Sequence, residues 1–286
     1  MKYGASRGGN VISWIDGEWH DEEPAVAKAT DHAMWLGSAV FDGARSIAGK
    51  VPDLAAHCAR AIRSCEIMGM ESDVTAEEMV ELCHEGIRQF PDDAELYICP
   101  LFYPSGGFVV PDPKSTHFVL TVEESPLPDP NGFKACLSPF RRPAADMAPT
   151  EAKAACLYPN VSRAVADANQ RGFDTGVMLD PDDDVAEFSS ANLFMVKDGV
   201  VHTPAINGTF LNGITRQRVI QLLRDAGVEV VERAISYDEL SEADELFATG
   251  NYSKVLPCIQ IDDRALPKGP LFQETRDMYF SYANTC

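Results

Sequence analysis

Lys153 lies in PTEAKAACLYPN (149–160), among small residues and with no acidic side chain in the two positions after it. An amine in apolar surroundings loses hydration, and desolvation disfavours its charged form, which lowers the pKa of a lysine. A lysine so placed becomes nucleophilic enough to form a Schiff base with a carbonyl. The competing reading is a strand lysine that lays its stem on apolar surface and sends its ammonium to water. Two more groups of chemical interest follow: Tyr158, five positions on, and Glu187, inside the strand-like run VAEFSSANLF.

Further along, Gly213-Ile214-Thr215 opens a run with helical periodicity, LNGITRQRVIQLLRDAG. The first N–H groups of a helix have no intrahelical partner, and the helix dipole favours an anion there. Thr215 adds a hydroxyl, and Arg216 and Arg218 offer charge unless they face water. The same residues also make an ordinary Asn/Gly helix start. Thr249-Gly250-Asn251-Tyr252 ends a strand with small and hydrogen-bonding residues, suited either to an anion or to nothing but a turn. His57 reads as a surface or satisfied core histidine without a catalytic role. No GxGxxG, Walker A, GxSxG or HExxH pattern occurs, which removes support from dinucleotide, ATP, serine-hydrolase and zincin chemistry.

The elements that must position these groups alternate between strand and helix. Val11 to Ile15 with Asp16-Gly17 predicts a hairpin, and a second one is expected through Val40-Phe41 and Gly43-Ala44-Arg45, turning at Gly49-Lys50. Leu54 to Met68 has helical spacing, with His57, Arg60 and Arg63 off the apolar face. Thr75 and Glu78 form a capping box for the next helix. Leu96–Phe102 and His117–Val122 read as core strands. ESPLPDPNG (124–132) carries three prolines and ends the first domain, giving an expected division into 1–123, a linker at 124–132 and 133–286. The second half opens with strands near Ala135 and Ala154 and a helix from about Asn160 that stops at Gly172. Short strands follow from Val177 onward, then the Gly213 helix, strands at 228–234, 245–248 and 255–261, and an amphipathic helix after Pro270. Gly172, Pro204 and Gly208 punctuate too often for one long parallel sheet, so the class expected is α+β.

At 286 residues the chain suffices for two domains, and its 45% apolar and 24% charged residues suit a globular protein. The formal charge of −20 repels nucleic acid and anionic lipid. No run approaches the length of a membrane span, and MKYGASRGGNV lacks an apolar stretch fit for a secretory signal. The eight cysteines show no CxxC, so they are expected to be reduced thiols of a cytoplasmic protein, several serving as small hydrophobes.

Taken jointly, a reactive lysine, a tyrosine, a strand glutamate, a Gly-Ile-Thr helix start and a Thr-Gly-Asn turn suit pyridoxal 5′-phosphate. Its aldehyde needs Lys153, and its ring nitrogen needs a carboxylate, Glu187, to stay protonated. Its phenolate wants a donor such as Tyr158, and its phosphate wants a helix start and an arginine. The chain resembles the class IV (fold type IV) pyridoxal-phosphate aminotransferases, closest to their branched-chain branch. The segments that carry the resemblance are LGSAVFDGARS, HCARAIRS, LYICPLFY, PTEAKAACLY, VAEFSSANLFMVKDGVVHTP, LNGITRQRVIQLL and ADELFATGN, spread from about Ile12 to Ile261.

The resemblance implies Lys153 as the Schiff-base lysine and proton shuttle, Glu187 as partner of the pyridine nitrogen and Tyr158 as donor to the phenolate. It assigns the phosphate to Arg60, Ile214 and Thr215 with the Gly213 and Gly250 backbone, and to Asn251, which stands where the branch usually has threonine. Phe41, Gly43, Arg45 and Tyr97 match substrate-facing positions, with Tyr252 beside the turn. Leu36 and Cys99 depart from the branch, which commonly has a tyrosine and an arginine there, and they make the pocket more apolar. The resemblance also implies a small α/β domain, a strand-rich pseudo-barrel domain, a cofactor between them and a homodimer. Amino-group transfer from a branched-chain or similar apolar L-amino acid to a 2-oxo acid follows. D-amino-acid or (R)-amine transamination, a lyase like aminodeoxychorismate lyase, and a cofactor-free binding protein on the same fold are the alternatives.

Overall fold

In the computed structural model, residues 9–286 are described, so the stretch read as unfit for a secretory signal falls mainly outside them. The chain divides into two compact units. One holds 9–127 together with Glu151–Leu157 and the last two residues; the other holds Pro128–Thr150 and Tyr158–Asn284. This departs from the linear division expected around 124–132, because the Lys153 segment packs with the N-terminal unit. Strand pairing is the reason: Val40 bridges Ala154, the Phe41 N–H donates to the Lys153 carbonyl at 3.1 Å, and the Ala155 N–H donates to the Ala39 carbonyl at 2.8 Å. The strand expected near Ala154 is therefore a single bridge added to the edge of the N-terminal sheet.

The N-terminal unit contains β1 (Val11–Ile15), β2 (Glu18–His20), α1 (His32–Leu36), β3 (Val40–Phe41), β4 (Ala44–Ile47), α2 (Leu54–Ile67), α3 (Ala76–Ile87), β5 (Glu95–Pro104) and β6 (Thr116–Glu124). Its sheet runs β2-β1-β6-β5-β3, with β4 also on β5. Phe41 opposes Leu101 and Ala44 opposes Ile98, so β3 and β4 keep one register along β5. They are one edge strand interrupted at Asp42-Gly43, and the turn expected at Gly49-Lys50 closes just beyond it, where Ile47 bridges Lys50. Leu54, Cys58, Ala61 and Cys65 recur at helical spacing on α2 and pack with Met79 and Cys83 of α3 against Leu96, Ile98, Leu120 and Val122. The capping box at α3 forms as expected: Thr75 Oγ1 accepts from the Glu78 N–H at 3.2 Å, and Glu78 Oε2 accepts from the Thr75 N–H at 2.8 Å.

The C-terminal unit contains β7 (Phe133–Leu137), α4 (Tyr158–Gln170), β8 (Thr175–Leu179), β9 (Val185–Phe188), β10 (Asn192–Lys197), β11 (Val200–Pro204), α5 (Ile214–Asp225), β12 (Val230–Arg233), α6 (Tyr237–Ser241), β13 (Glu245–Gly250), β14 (Lys254–Ile261), β15 (Arg264–Ala265) and α7 (Pro270–Ala283). Its nine-stranded sheet runs β12-β11-β10-β13-β14-β7-β8-β9, with β15 on β14. The sheet is mixed, parallel at β11/β12, β14/β7 and β7/β8. It curls, since Phe188 at the end of β9 bridges Ala191 just before β10. Phe133, Val177, Phe188, Leu193 and Leu256 belong to one core, while α5 and α7 bury Val219, Leu223, Phe272 and Tyr279 with Phe194 and Phe247 in a second. Helices packed on a curled, mostly antiparallel sheet give the α+β class.

Candidate active site

Side chains alternate across a strand, so the interrupted edge strand sorts its residues into two sets. Val40, Asp42, Ala44 and Ser46 point toward α2 and the core. Phe41, Gly43 and Arg45 point to the other face, where β5 presents Tyr97 opposite Arg45 and, by the same register, Cys99 opposite Gly43. Lys153 sits opposite Phe41 across the bridge at Val40, so it shares that face, and its Nζ lies 4.4 Å from the centre of the Phe41 ring. The Lys153 N–H donates to Ser64 Oγ of α2 at 3.0 Å, which pins the segment to the helix. The fold thus brings together Lys153, Phe41, Gly43, Arg45, Tyr97 and Cys99. Arg45 is wholly buried, donates to the Ser125 carbonyl and lies 6.0 Å from the Tyr97 ring centre. Leu36 is 43% exposed at the end of α1.

On the opposite face stands Asp42, fully buried. It accepts from Arg60 Nε at 2.6 Å, Arg60 Nη2 at 2.9 Å and the Gly43 N–H at 2.7 Å, with His57 Nδ1 at 2.8 Å. Burial by itself would raise the carboxyl pKa; the Arg60 guanidinium and the hydrogen bonds from His57 and Arg60 outweigh it and hold Asp42 well below the usual carboxylate range. His57 and Arg60 are 2% and 9% exposed, so both lie inside: His57 is the satisfied core histidine of its two readings, while Arg60 goes against the expectation that it sits off the buried face of α2. The pattern of apolar spacing misses them because a buried salt bridge satisfies a charged residue where periodicity looks only for apolar ones.

In the C-terminal unit the buried carboxylate of Glu187 on β9 lies between Arg142 Nε, 3.3 Å from Oε1, and Asn192 Nδ2, 3.2 Å from Oε2. Arg142 Nε also reaches the Thr209 carbonyl, and Asn192 Nδ2 reaches the Leu211 carbonyl. A Cβ added to Gly213 would stand 2.0 Å from Asn192 Oδ1, so the N-cap of α5 must be glycine for the two to approach. No side chain caps that helix, whose first turn begins with Ile214 and the buried Thr215. Thr249 on β13 pairs with Asn192 across the ladder, which brings the Thr249-Gly250-Asn251 turn to the same place. Thr249 Oγ1 and Asn251 Nδ2 are buried polar atoms without a protein partner. Tyr252 beyond them is 44% exposed, and Tyr158 is the first residue of α4, half-buried.

The two arginines after Thr215 both meet other protein groups. Arg216 is 1% exposed and donates to Asn212 Oδ1, the Pro204 carbonyl and Glu232 Oε2. Arg218 lies over the Tyr282 ring at 4.2 Å.

The family described as amino-transferase class IV matches residues 39–261, the span that holds both sets of residues. The chain belongs to the class IV aminotransferases. An aminotransferase from Brucella abortus, solved bound to the cofactor PLP, superposes with a TM-score of 0.95 at 43% identity, over 96% of this chain and 99% of that one. A branched-chain aminotransferase from the archaeon Thermoproteus uzoniensis, solved with norvaline, gives 0.89 at 32% identity over 96% of each chain. Among curated proteins, the branched-chain-amino-acid aminotransferase of Pseudomonas aeruginosa is 32% identical across 94% of this chain and 92% of its own length.

Four residues of this class IV chain carry geometry that its motifs do not signal: Asp42, Arg142, Asn192 and Lys254. Asp42 reads as a turn residue in VFDGAR and Asn192 as a strand start. Lys254, wholly buried, precedes an apolar run that looks complete without it.

Proposed function

We propose that this class IV aminotransferase takes the amino group from a branched-chain or similar apolar L-amino acid and passes it to a 2-oxo acid, with pyridoxal 5′-phosphate as cofactor. The observation that carries the reading is Lys153, whose side chain shares one sheet face with Phe41, Gly43, Arg45 and Tyr97. Norvaline with the Thermoproteus relative and the branched-chain names of the curated relatives support the donor class.

The donor set suits the cofactor. A helix start without a side-chain cap, the hydroxyl of Thr215 and the unpartnered Asn251 Nδ2 offer donors where no protein acceptor meets them, as a phosphate requires. A buried carboxylate held on both oxygens suits a protonated ring nitrogen. Pyridoxal 5′-phosphate, when bound, supplies a carbonyl for the amine and a ring that takes up electrons from the substrate α-carbon. Lys153 would hold the carbonyl end and carry the proton that leaves the α-carbon. Glu187 would hold the ring nitrogen, kept in place by Arg142 and Asn192, and Tyr158 would donate to the ring oxygen. Arg60, Ile214, Thr215 and Asn251, with the Gly213 and Gly250 backbone, would hold the phosphate, Arg60 being aimed by Asp42. Phe41, Gly43, Arg45 and Tyr97 would face the substrate, with Cys99, Leu36 and Tyr252 supplying apolar surroundings.

A homodimer belongs to the proposal. Met34, Trp35, Phe108, Val109 and Val110 are 57–75% exposed on the N-terminal unit, and the Trp35 and Phe108 rings lie 6.2 Å apart. An exposed apolar cluster of this kind marks an interaction surface, here for a second copy. A cytoplasmic location is proposed with it: Cys58, Cys65, Cys83, Cys136 and Cys258 are buried thiols of the sort a reducing compartment keeps. Among the described residues no helix is long and apolar enough to cross a membrane.

The test is the visible absorbance of the purified protein before and after L-leucine. A visible band that moves to the near-ultraviolet with L-leucine, and returns with a 2-oxo acid, is expected. A band that moves only with D-alanine or an (R)-amine would overturn the donor class, pyruvate release without an acceptor would make it a lyase, and no band in the presence of added cofactor would leave a binding protein.

A further inference from the structure

Lys254 is the first residue of β14, and it is unusual on two counts. Its side chain is wholly buried, which lysine seldom is, and its backbone has a φ of 59°, in the left-handed region that bulky residues seldom occupy. Gly250 pairs with Lys254 across the hairpin, so the lysine closes the turn that carries Asn251. Its Nζ lies 2.7 Å from the Asn251 amide oxygen and 5.9 Å from the centre of the Tyr279 ring.

An amine at this position constrains the amide. Lysine has only donors, so the Asn251 atom facing Nζ must be Oδ1, and the amide cannot flip without setting donor against donor. Nδ2 is thereby turned away from the lysine, where it is buried and meets no protein acceptor. Thr249 Oγ1, two residues earlier and fully buried, has no protein partner either. Thr249 pairs with Asn192, whose own side chain reaches the Gly213 start of α5, so the strand end that leads into the Asn251 turn is tied to the helix N-terminus. Two unpartnered buried polar atoms on a turn whose strand pairs with the residue that meets an uncapped helix start call for an oxyanion.

We infer that Lys254 is a positioning residue: it fixes the Asn251 amide so that Nδ2 donates to the cofactor's phosphate. This rests on the cofactor reading above and deepens it. Asparagine, unlike a hydroxyl that rotates freely, presents a donor on one side and an acceptor on the other, so the site works only if something decides which side faces the anion. Lys254 decides it, without touching the phosphate itself.

The test titrates the full-length apo protein with pyridoxal 5′-phosphate and separately with pyridoxal, which has the same aldehyde and ring but no phosphate. The chains are wild type, Lys254→Met and Asn251→Asp. Methionine keeps the length and apolar stem against Tyr279, and aspartate keeps an acceptor for Lys254 while replacing the Nδ2 donor by oxygen. A hydrogen bond to a charged group contributes enough that its loss weakens binding by about tenfold or more. Both variants should bind pyridoxal 5′-phosphate about tenfold more weakly than wild type while their pyridoxal affinity stays within about twofold. Equal losses for both aldehydes would make Lys254 merely structural and overturn the inference. Unchanged affinity with a raised KM for the amino acid would move the anion to the substrate carboxylate and overturn it too. If Lys254→Met does not fold, Asn251→Asp alone decides, unchanged phosphate affinity refuting the role. A wild-type chain that binds neither aldehyde overturns the cofactor reading itself; wild-type binding with indifferent variants overturns this inference alone.

Discussion

Replacing Asp42 by asparagine removes one charge from the centre of the N-terminal unit and almost no volume. Asp42 is 0% exposed and the Arg60 side chain 10%, so neither charge has water to fall back on. Arg60 Nε and Nη2 and His57 Nδ1 converge on the two carboxylate oxygens at 2.6, 2.9 and 2.8 Å. An asparagine with its oxygen at the Oδ1 position still accepts from Arg60 Nη2 and His57 Nδ1 but turns an NH2 group toward Arg60 Nε, so one charge-assisted bond of about 1.5–3 kcal/mol is lost and the others are weakened. Leaving a buried charge without its partner independently costs about 3–5 kcal/mol, and the two routes meet at about 3 kcal/mol for Asp42→Asn. All three tryptophans, Trp14, Trp19 and Trp35, lie in the N-terminal unit, so their fluorescence during urea unfolding follows this unit. With a urea slope of about 1–3 kcal/mol/M, the midpoint should fall by at least about 1 M at pH 7. The acid limb has a definite sign. Because the folded pKa of Asp42 is depressed, its contribution is complete above the unfolded value of about 3.9 and is lost as pH falls toward the folded one. The gap between wild type and variant should be flat above about pH 5 and close below about pH 4. A loss under about 1 kcal/mol at pH 7, the level of an exposed ion pair, would refute the account of Asp42 as a buried anchor for Arg60.

Gly213→Ala should displace Asn192, whose Oδ1 occupies the space a Cβ would take, and cost about 1–3 kcal/mol along with weaker cofactor binding; thermal melting with and without pyridoxal 5′-phosphate measures both. Cys156, exposed, should react with a thiol reagent within the native state, whereas Cys65, Cys136 and Cys258 should wait for unfolding, burial having pushed their thiols up to about 12, 11 and 12; a time course with and without denaturant separates the classes. Burial, and then the hydrogen bond to Asp262 Oδ2 at 2.6 Å, push the Tyr237 phenol far above its ordinary value. The neutral phenol is thus favoured by folding, so its contribution is complete below the unfolded value of about 10 and is lost as pH rises beyond it. Tyr237→Phe should accordingly lower stability by about 1 kcal/mol at pH 7 and soften the alkaline decline, checked by urea midpoints at pH 7 and 10.5.

The parts of this molecule that were legible in the chain are those set by neighbours in sequence. The Thr75 and Glu78 side chains sit three residues apart and cap a helix, and Asp16-Gly17 turns a hairpin, because the interacting groups are within a few residues of each other. Lys153 and Glu187 could be singled out for their chemistry, but their surroundings come from elsewhere: Lys153 joins an edge strand more than a hundred residues earlier, and only that pairing places it on the face of Phe41. A boundary drawn at a proline-rich linker therefore puts the lysine in the wrong compact unit, since composition registers where the chain is stiff and not where a later segment returns to pair. Asp42 illustrates the same limit in the side chains. Its partners are 15 and 18 residues away on a helix whose apolar spacing is complete without them, so nothing local distinguishes a buried anchor from a turn aspartate. Asn251 and Lys254 stand only three residues apart, yet only Asn251 was singled out, because a lysine beside a polar turn ordinarily faces water and only the tertiary burial of the hairpin turns it into a partner for the amide. The residues that do the orienting are thus harder to find than the residues they orient: the latter are selected for what their atoms can do, the former for where the fold happens to bring them.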